Sequence, residues 1–306
     1  MSGARKVVLL GVPSAAGASR AGLEAAPRAL REAGLAAALR RVGCEVVDLV
    51  DLALFPFVPD AEHPRARNVS GVACALRATA DEMTRALPEG FTLVLGGGCS
   101  LLAGVVAGVR RHLGRPPAVV LVDAHGDLNT PETSPSGFLD GMGLALAQGS
   151  GPEALAALDE GPWVSPRETA LVGWRELDPG EREMLPRLAA ALSAQELLSV
   201  GGEGASRRVR AALPAIPLVV ELDVDVMEPA VMPAKGASPP GAALSPLEVQ
   251  ELLGHLLADA RAQALLVTGY DPALDADGGA ARTLVELLAQ ACAPAGRGER
   301  ASAQRG

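Results

Sequence analysis

The sequence has 306 residues, of which 49% are hydrophobic and 21% charged, and its formal net charge is −9. This apolar share is ample for a buried core and excludes a disordered chain. The composition disfavours nucleic-acid binding. The net charge is negative, no cluster of basic residues is present, and the single Tyr provides no stacking surface for bases.

Short β-branched runs alternate along the chain with longer Ala/Leu/Arg segments of helical period, which predicts an α/β fold with a parallel sheet covered by helices. In chain order, the predicted strands are Lys6–Gly11, Glu45–Val50, Thr92–Gly96, Ala118–Asp123, Thr169–Gly173, Pro217–Asp225 and Ala264–Gly269. The segments between strands are predicted to be helical, notably Ala25–Val42, Val72–Leu87, Ser100–Leu113, Gly180–Leu192, Pro246–Ala260 and Gly279–Ala293.

No linker interrupts this alternation, so residues 1–293 are predicted to form a single domain. The tail 294–306, rich in Gly, Arg and Ser, is expected to be disordered or used in subunit contacts. No run approaches the ~20 apolar residues of a membrane span, and no signal peptide precedes the first strand, so we expect a cytoplasmic protein. The four cysteines are far apart in the sequence and are predicted to be reduced thiols.

Acidic residues are concentrated where two predicted strands end, and ligands bind at this edge of a parallel sheet. Residues two apart on an extended chain point to the same side, which aligns Asp123, His125 and Asp127, and likewise Asp223 and Asp225. If both strand ends border one crevice, the clustered carboxylates need positive counter-charge. Divalent Mn²⁺, Fe²⁺ or Zn²⁺ would supply that charge, and the ligands suffice for two ions bridged by shared carboxylates. The alternative is that each Asp caps a helix or turn, which we favour for Asp225 taken alone.

These segments resemble the ureohydrolase family of arginases, agmatinases and formiminoglutamases, and within it the arginase branch. The resemblance is specific in the loop Val122–Pro131 with its continuation Thr133–Gly137, and it extends to Asp223-Val224-Asp225 with Pro229, Arg175–Glu181, Leu10–Pro13 and Gly22–Pro27. It implies a three-layer α/β/α fold, a Mn²⁺ pair, trimers or hexamers, and hydrolysis of a linear guanidino or amidino C–N bond by a metal-bridging hydroxide. By position, the implied metal ligands are Asp123, His125, Asp127, Asp223 and Asp225, and the residues implied to bind the amino-acid end of the substrate are Asn129, Ser136 and Asp178.

Cys99 stands where the family usually has a metal-binding His, and Gly98 stands where it has an Asp. Cys99 is either a buried thiol on a Gly-rich turn or, as we expect, a sixth metal ligand. A thiolate adds one negative charge to the cluster, weakens it as a Lewis acid and shifts its preference toward Zn²⁺ or Fe²⁺. A hydroxyarginine-hydrolysing branch of the family is similar in carrying Cys here, so an N-hydroxylated substrate rivals arginine.

Four further positions depart from the arginase pattern: Phe138, Asp140, Ala237 and Gly269. Asp140 replaces a proton-shuttling His and is the predicted catalytic residue beside Asp127, although an Asp with an ordinary pKa of ~3.9 holds no proton at neutral pH. Gly269 replaces a Glu that clamps the guanidinium, which makes arginine itself doubtful as the substrate. Asp140 or Asp271 is a hypothetical substitute for that anion.

The sequence therefore predicts a metal-dependent hydrolase that acts on a small arginine-like or N-hydroxyarginine-like compound, with altered substrate specificity. A non-catalytic member of the family, with a structural or regulatory role, is the alternative raised by the four departures. A nucleotide site at Gly96-Gly97-Gly98 is disfavoured because the run lacks the G-x-G-x-x-G spacing and the Lys of a phosphate loop.

Overall fold

A computed structural model describes residues 4–156, 161–233 and 239–294. One eight-stranded sheet runs through the centre of the molecule, and all its neighbouring strands are parallel. Its strands are β1 Lys6–Gly11, β2 Glu45–Asp48, β3 Phe91–Leu95, β4 Ala118–Val122, β5 Thr169–Trp174, β6 Ala190–Ser193, β7 Leu218–Asp223 and β8 Ala262–Thr268, in the spatial order β2-β1-β3-β8-β7-β4-β5-β6.

Helices cover both faces of the sheet, which confirms the predicted three-layer α/β/α fold. They are α1 Ala26–Glu32, α2 Leu35–Arg41, α3 Val69–Ala86, α4 Leu101–Leu113, α5 Gly143–Ala147, α6 Glu153–Ala156, α7 Pro179–Met184, α8 Ala194–Ala212, α9 Pro246–Leu257 and α10 Gly279–Cys292. One core packs α1, α2, α8, α9 and α10 against the first face of the sheet, and a second packs α3, α4 and α5 against the opposite face.

The central strands are buried on both faces because alternate side chains enter different cores. On β4, Val120 and Val122 join the first core, whereas Val119 and Leu121 join the second. This explains why β4 appears in the sequence as a continuous apolar run with no polar alternation.

All seven predicted strands are present, with ends shifted by at most two residues. The prediction of one helix over Gly180–Leu192 was wrong, because α7 ends at Met184 and the chain then forms the edge strand β6. The predicted helix Ala25–Val42 is broken in two at Gly34, whose φ of 92° is left-handed. The tail 295–306 lies outside the described residues.

The four central strands β3, β8, β7 and β4 are neighbours, so their carboxyl ends lie side by side at one edge of the sheet. The loops that follow β3, β4 and β7 carry the polar residues singled out in the sequence. None of the described helices is long and apolar enough to cross a membrane. None of the four cysteines, all within the described residues, forms a disulfide.

Helices α3 and α4 approach closely where α4 carries glycine. A Cβ added at Gly108 would lie 2.4 Å from Met83 Cβ and 2.8 Å from the Ala80 carbonyl oxygen. We therefore expect Gly108→Ala to destabilise the protein by roughly 1–3 kcal/mol through overpacking. Gly254→Ala in α9 is the matched control: no heavy atom lies within 4 Å of its added Cβ, so helix propensity should stabilise the protein by up to about 1 kcal/mol.

Urea unfolding of both variants measures the two free energies of unfolding. Equal stabilisation by the two alanines would contradict the close approach of α3 and α4.

Candidate metal centre

The loop after β4 directs three chemically active side chains into one crevice. Asp123 Oδ1 accepts the His125 backbone N–H at 2.7 Å, which tightens the turn and places His125 on the same side as Asp123. Asp127 has a left-handed φ of 51°, uncommon for a residue other than glycine. Its carbonyl accepts N–H groups from Leu144 and Ala145, both at 3.0 Å, so α5 holds this conformation in place.

The loop after β7 repeats this arrangement. Asp223 Oδ1 accepts the Asp225 backbone N–H at 2.9 Å, and Asp225 Oδ1 reaches across to the Ala124 N–H at 3.3 Å. Asp123 and Asp223 therefore cap turns with one oxygen, as the alternative interpretation of these residues required. Turn capping and metal binding are compatible, because each of these carboxylates has a second oxygen.

The six predicted metal ligands come together in this crevice. Ligand atoms of Cys99, Asp123 and Asp127 lie within 4.8 Å of one another, as do those of Asp123, His125 and Asp225, so the two groups share Asp123. Asp223 joins the first group, since its Oδ2 is 2.8 Å from Cys99 Sγ.

Burial and mutual repulsion dominate the electrostatics of these carboxyls. Burial, followed by the charge on Asp225, raises the pKa of Asp123. Burial also raises the pKa of Asp127 well above its ordinary value, and the charges on Asp123 and two further carboxylates add to it. Burial lowers the pKa of His125, but hydrogen bonds to Asp123 and Asp225 outweigh it and raise that pKa to about 12.

The residues present fit a divalent metal. Asp127 Oδ2 is buried without a hydrogen-bond partner among the described residues, and buried carboxylates normally have one. Imidazole and carboxylate donors suit Mn²⁺, Fe²⁺ and Zn²⁺, and two groups that share Asp123 match the donor set of two neighbouring ions. The sulfur of Cys99 gives the first group a soft donor.

The predicted substrate-binding residues form a second polar group beside the metal loop. Asn129 Nδ2 donates to Asp178 Oδ2 at 2.8 Å, and Asn129 Oδ1 accepts the Thr133 hydroxyl at 3.0 Å. Ser136 is exposed on the same loop, and its carbonyl accepts Arg67 Nε at 3.0 Å. The structure thus pairs Asn129 with Asp178 directly and places Ser136 at the protein surface.

Asp140 is buried against the glycine run that follows β3. Its Oδ1 accepts the Ser100 hydroxyl at 2.8 Å and the Ser100 backbone N–H at 3.3 Å. A Cβ at Gly98 would lie 2.1 Å from Asp140 Oδ2, and one at Gly17 would lie 2.3 Å from Oδ1. The carboxylate of Asp140 therefore occupies the space that a side chain at position 98 would need, and the glycine run is explained by packing.

The space beside Asp223 cannot hold the glutamate clamp that the resemblance implies. Gly269 has a left-handed φ of 81°, and a Cβ there would lie 2.2 Å from Asp223 Oδ1. Asp271, the hypothetical substitute, is buried and pairs with Arg20 at 2.9 Å, so its charge is already compensated within the chain. Ala237 lies outside the described residues. Phe138 packs its ring under the guanidinium of Arg67.

Sequence reasoning missed two buried acids beside the centre. Glu181 Oε1 accepts the Leu128 N–H at 3.0 Å, and its Oε2 accepts the Asp178 N–H at 2.9 Å, so it joins the metal loop to α7. The capping-box spacing from Asp178 to Glu181 was the available signal. Glu221 is fully buried in β7, and its signal was an acid inside an apolar strand. Burial, followed by the charges on Asp123 and Asp223, raises its pKa well above the ordinary value.

Comparisons with known proteins agree with this architecture. The arginase of Agrobacterium fabrum is 35% identical over 299 residues, which cover 91% of this chain and 88% of the relative. The arginase of Bacillus caldovelox is 30% identical over 298 residues, with coverage of 93% and 97%. The crystal structure of Bacillus subtilis arginase superposes with a TM-score of 0.83 at 30% identity and covers 94% of this chain and 98% of that one.

The family model described as "Arginase family" matches residues 5–293, from before the first strand to the end of the last helix. The chain therefore belongs to the arginase family.

Proposed function

We propose that this arginase-family hydrolase is metal-dependent and cleaves a linear C–N bond of a small guanidino or amidino compound. The observation that carries the proposal is the pair of ligand groups sharing Asp123, buried at the carboxyl ends of the central strands. Curated relatives named arginase at 30–35% identity support the guanidino substrate class.

Cys99, Asp123, Asp127 and Asp223 would hold one ion, and Asp123, His125 and Asp225 would provide donors for the second. Bound divalent ions would supply the positive charge and Lewis acidity that activate water at neutral pH. Mn²⁺ is the ion expected from the family, and the soft sulfur of Cys99 favours Zn²⁺ or Fe²⁺.

The chain's own residues supply the remaining chemistry. One carboxylate oxygen of Asp127 would bind metal, and the other is the proposed acceptor for the proton of the attacking water, because this carboxylate is buried and its Oδ2 has no hydrogen-bond partner within the described chain. Asp140 and the Ser100 hydroxyl, which donates to Asp140 Oδ1, form the proposed relay by which that proton reaches the leaving amine. Asn129, Asp178 and Ser136 bind the amino-acid end of the substrate.

The substrate is proposed to be less basic than arginine, as an N-hydroxyguanidine is. The backbone at Gly269 leaves no room for a guanidinium-clamping acid, and Arg20 compensates Asp271. Without an anionic clamp, a strongly basic guanidinium loses a charge-assisted contact that contributes roughly 1.5–3 kcal/mol. We also propose that the protein is cytoplasmic and that it forms a homo-oligomer. Light scattering after gel filtration would test the oligomeric state.

A substrate panel tests the proposed reaction. Arginine, N-hydroxyarginine, agmatine and formiminoglutamate are incubated with protein reconstituted with Mn²⁺, Zn²⁺ or Fe²⁺, and release of urea, hydroxyurea or formamide is measured. We expect turnover that chelation abolishes, with N-hydroxyarginine preferred over arginine. Cys99→His is expected to shift the metal preference toward Mn²⁺ because imidazole replaces the soft sulfur.

Full activity without metal would refute the proposal. Stoichiometric metal without turnover of any panel compound would instead favour the non-catalytic alternative, with Cys99→Ala as the control for metal content.

Asp127→Asn should change the stability of the protein in opposite directions with and without metal. The folded-state pKa of Asp127 is raised, so its stabilising contribution is complete below the unfolded-state pKa and is lost as pH rises through the folded-state pKa. At pH 8 without metal, removing this charge should stabilise the protein by about 1–3 kcal/mol, the cost of an unpaired buried polar group. With saturating Mn²⁺ or Zn²⁺ the wild type should be the more stable, because the variant loses a ligand.

Thermal unfolding at pH 5 and pH 8, with and without metal, measures these differences. The same stability order in all four conditions would argue against Asp127 as a ligand.

Asp178→Asn tests the substrate-binding group. The amide keeps the size and turn-capping ability of Asp178 but removes its charge, which we propose contacts the amino group of the substrate. We expect KM to rise about 10–100-fold with kcat changed much less, since a charged hydrogen bond contributes roughly 1.5–3 kcal/mol. Steady-state kinetics on the best panel substrate measure both constants, and Glu176→Gln at an exposed neighbouring position is the control. An unchanged KM would exclude this role.

A further inference from the structure

A cavity of about 370 Å³ lies between α8 and α9, away from the metal centre. One of its lining residues, Arg261, directly precedes β8, so the cavity lies at the amino end of that strand and at the opposite edge of the sheet from the metal centre. Its polar lining comes from both helices and from the start of β8: Glu203, Ser206, Arg207, Arg210, His255 and Arg261. The proposed reaction uses none of these residues.

The cavity carries net positive charge. Its three arginines contribute three positive charges, and Glu203 and the adjoining Asp259, which pair with them, offset two. One positive charge therefore remains even when His255 is neutral, in a protein whose formal net charge is −9. Positive charge gathered in a cavity favours an anion as the ligand.

Asp259 holds two of the arginines in place. Arg261 donates to both of its carboxylate oxygens, from Nε at 3.0 Å and from Nη2 at 2.7 Å. Arg210 Nε lies 3.1 Å from Asp259 Oδ2, and the two terminal nitrogens of Arg210 make no hydrogen bond within the described chain. Two guanidinium groups are thus positioned before any ligand binds, which reduces the entropy that binding costs.

Ser206 is the residue that the internal contacts leave unexplained. It is 1% exposed, and its hydroxyl oxygen is buried with no hydrogen-bond partner among the described residues. A serine inside a helix normally faces solvent or donates to the carbonyl four residues earlier. Arg210 and His255 lie in the last turns of α8 and α9, where a cation interacts favourably with the helix dipole. That interaction accounts for basic residues at these positions but not for a buried hydroxyl without a partner.

We propose that this cavity is a binding site for a phosphate group, either free or carried by a small phosphate ester. Guanidinium groups donate paired hydrogen bonds that match phosphate oxygens, and the Ser206 hydroxyl would supply one more donor. The cavity volume falls within the roughly 300–1,000 Å³ of small-molecule sites, so it has room for an ester as well as for the free ion. The proposal is independent of the metal centre.

Calorimetric titration of the full-length protein tests this site, with inorganic phosphate and glycerol 3-phosphate as the probes and acetate as the comparison anion. Arg210→Gln removes a charged donor, and Ser206→Ala removes the unpartnered hydroxyl. Arg208→Gln is the matched control, because Arg208 is an exposed arginine on the same helix that does not line the cavity. Thermal unfolding of each variant without ligand is measured alongside.

We expect Arg210→Gln to bind phosphate about 10–100-fold more weakly and Ser206→Ala about 2–10-fold more weakly, as the loss of a charged and of a neutral hydrogen bond implies. Without ligand, Ser206→Ala should be at least as stable as the wild type, because the removed hydroxyl has no partner to lose. Arg208→Gln should bind phosphate as the wild type does. Tighter binding of glycerol 3-phosphate identifies an ester as the ligand, and equal or weaker binding identifies the free ion.

The proposal is overturned if the wild type binds neither probe at millimolar concentration, or if it binds acetate as tightly as phosphate. Equal losses in Arg208→Gln and Arg210→Gln would also overturn it, because they would show that phosphate senses only the overall charge. If Arg210→Gln fails to fold, Ser206→Ala decides: unchanged phosphate affinity, or lower stability without ligand, would contradict a hydroxyl reserved for the ligand.

Discussion

Buried carboxylates are clustered at the edge of the parallel sheet, and their mutual repulsion has to be offset by positive charge. The proposed function depends on this requirement. Asp123, Asp127 and Asp223 are each almost inaccessible to solvent. Among the described residues, His125 is the one histidine that lies in this cluster. Neutral backbone groups and turn N–H donors hold these acids in place but cannot balance their charge. Divalent cations are the counter-charge that fits the donor set, which links the fold to the proposed chemistry.

Much of this arrangement was predictable because the relevant signals are local. The alternation of apolar strands with helical segments predicted the layers, and the two-residue spacing at the end of β4 predicted the convergence of Asp123 with His125. Strand β6 was mistaken for helix because its Ala- and Leu-rich sequence has no β propensity and its pairing with β5 is a tertiary effect. Helix α8 was not among the helices singled out in the sequence; it bends at Gly201, whose φ of 71° is left-handed.

The parts of the site that the sequence did not predict depend on contacts between distant segments. Glu221 accepts a hydrogen bond from the Thr268 hydroxyl, 47 positions away in the sequence, and Asp140 accepts one from the Ser100 hydroxyl, 40 positions away. Such pairs leave no periodic pattern in the sequence, because each is formed only when folding brings distant segments together. The departures at Gly98 and Asp140 looked independent in the sequence, yet the carboxylate of Asp140 fills the volume beside Gly98. The absence of a side chain at position 98 therefore makes room for the carboxylate of Asp140.

The left-handed backbone at Gly269 limits which residues this position can accept. Any side chain there would meet Asp223 Oδ1 at 2.2 Å, so an acidic replacement would displace a carboxylate of the proposed metal centre before it could engage a guanidinium. An anion placed at this position would require β8 to shift at the same time. Redesign of the protein toward strongly basic substrates would therefore have to introduce the anion elsewhere around the crevice.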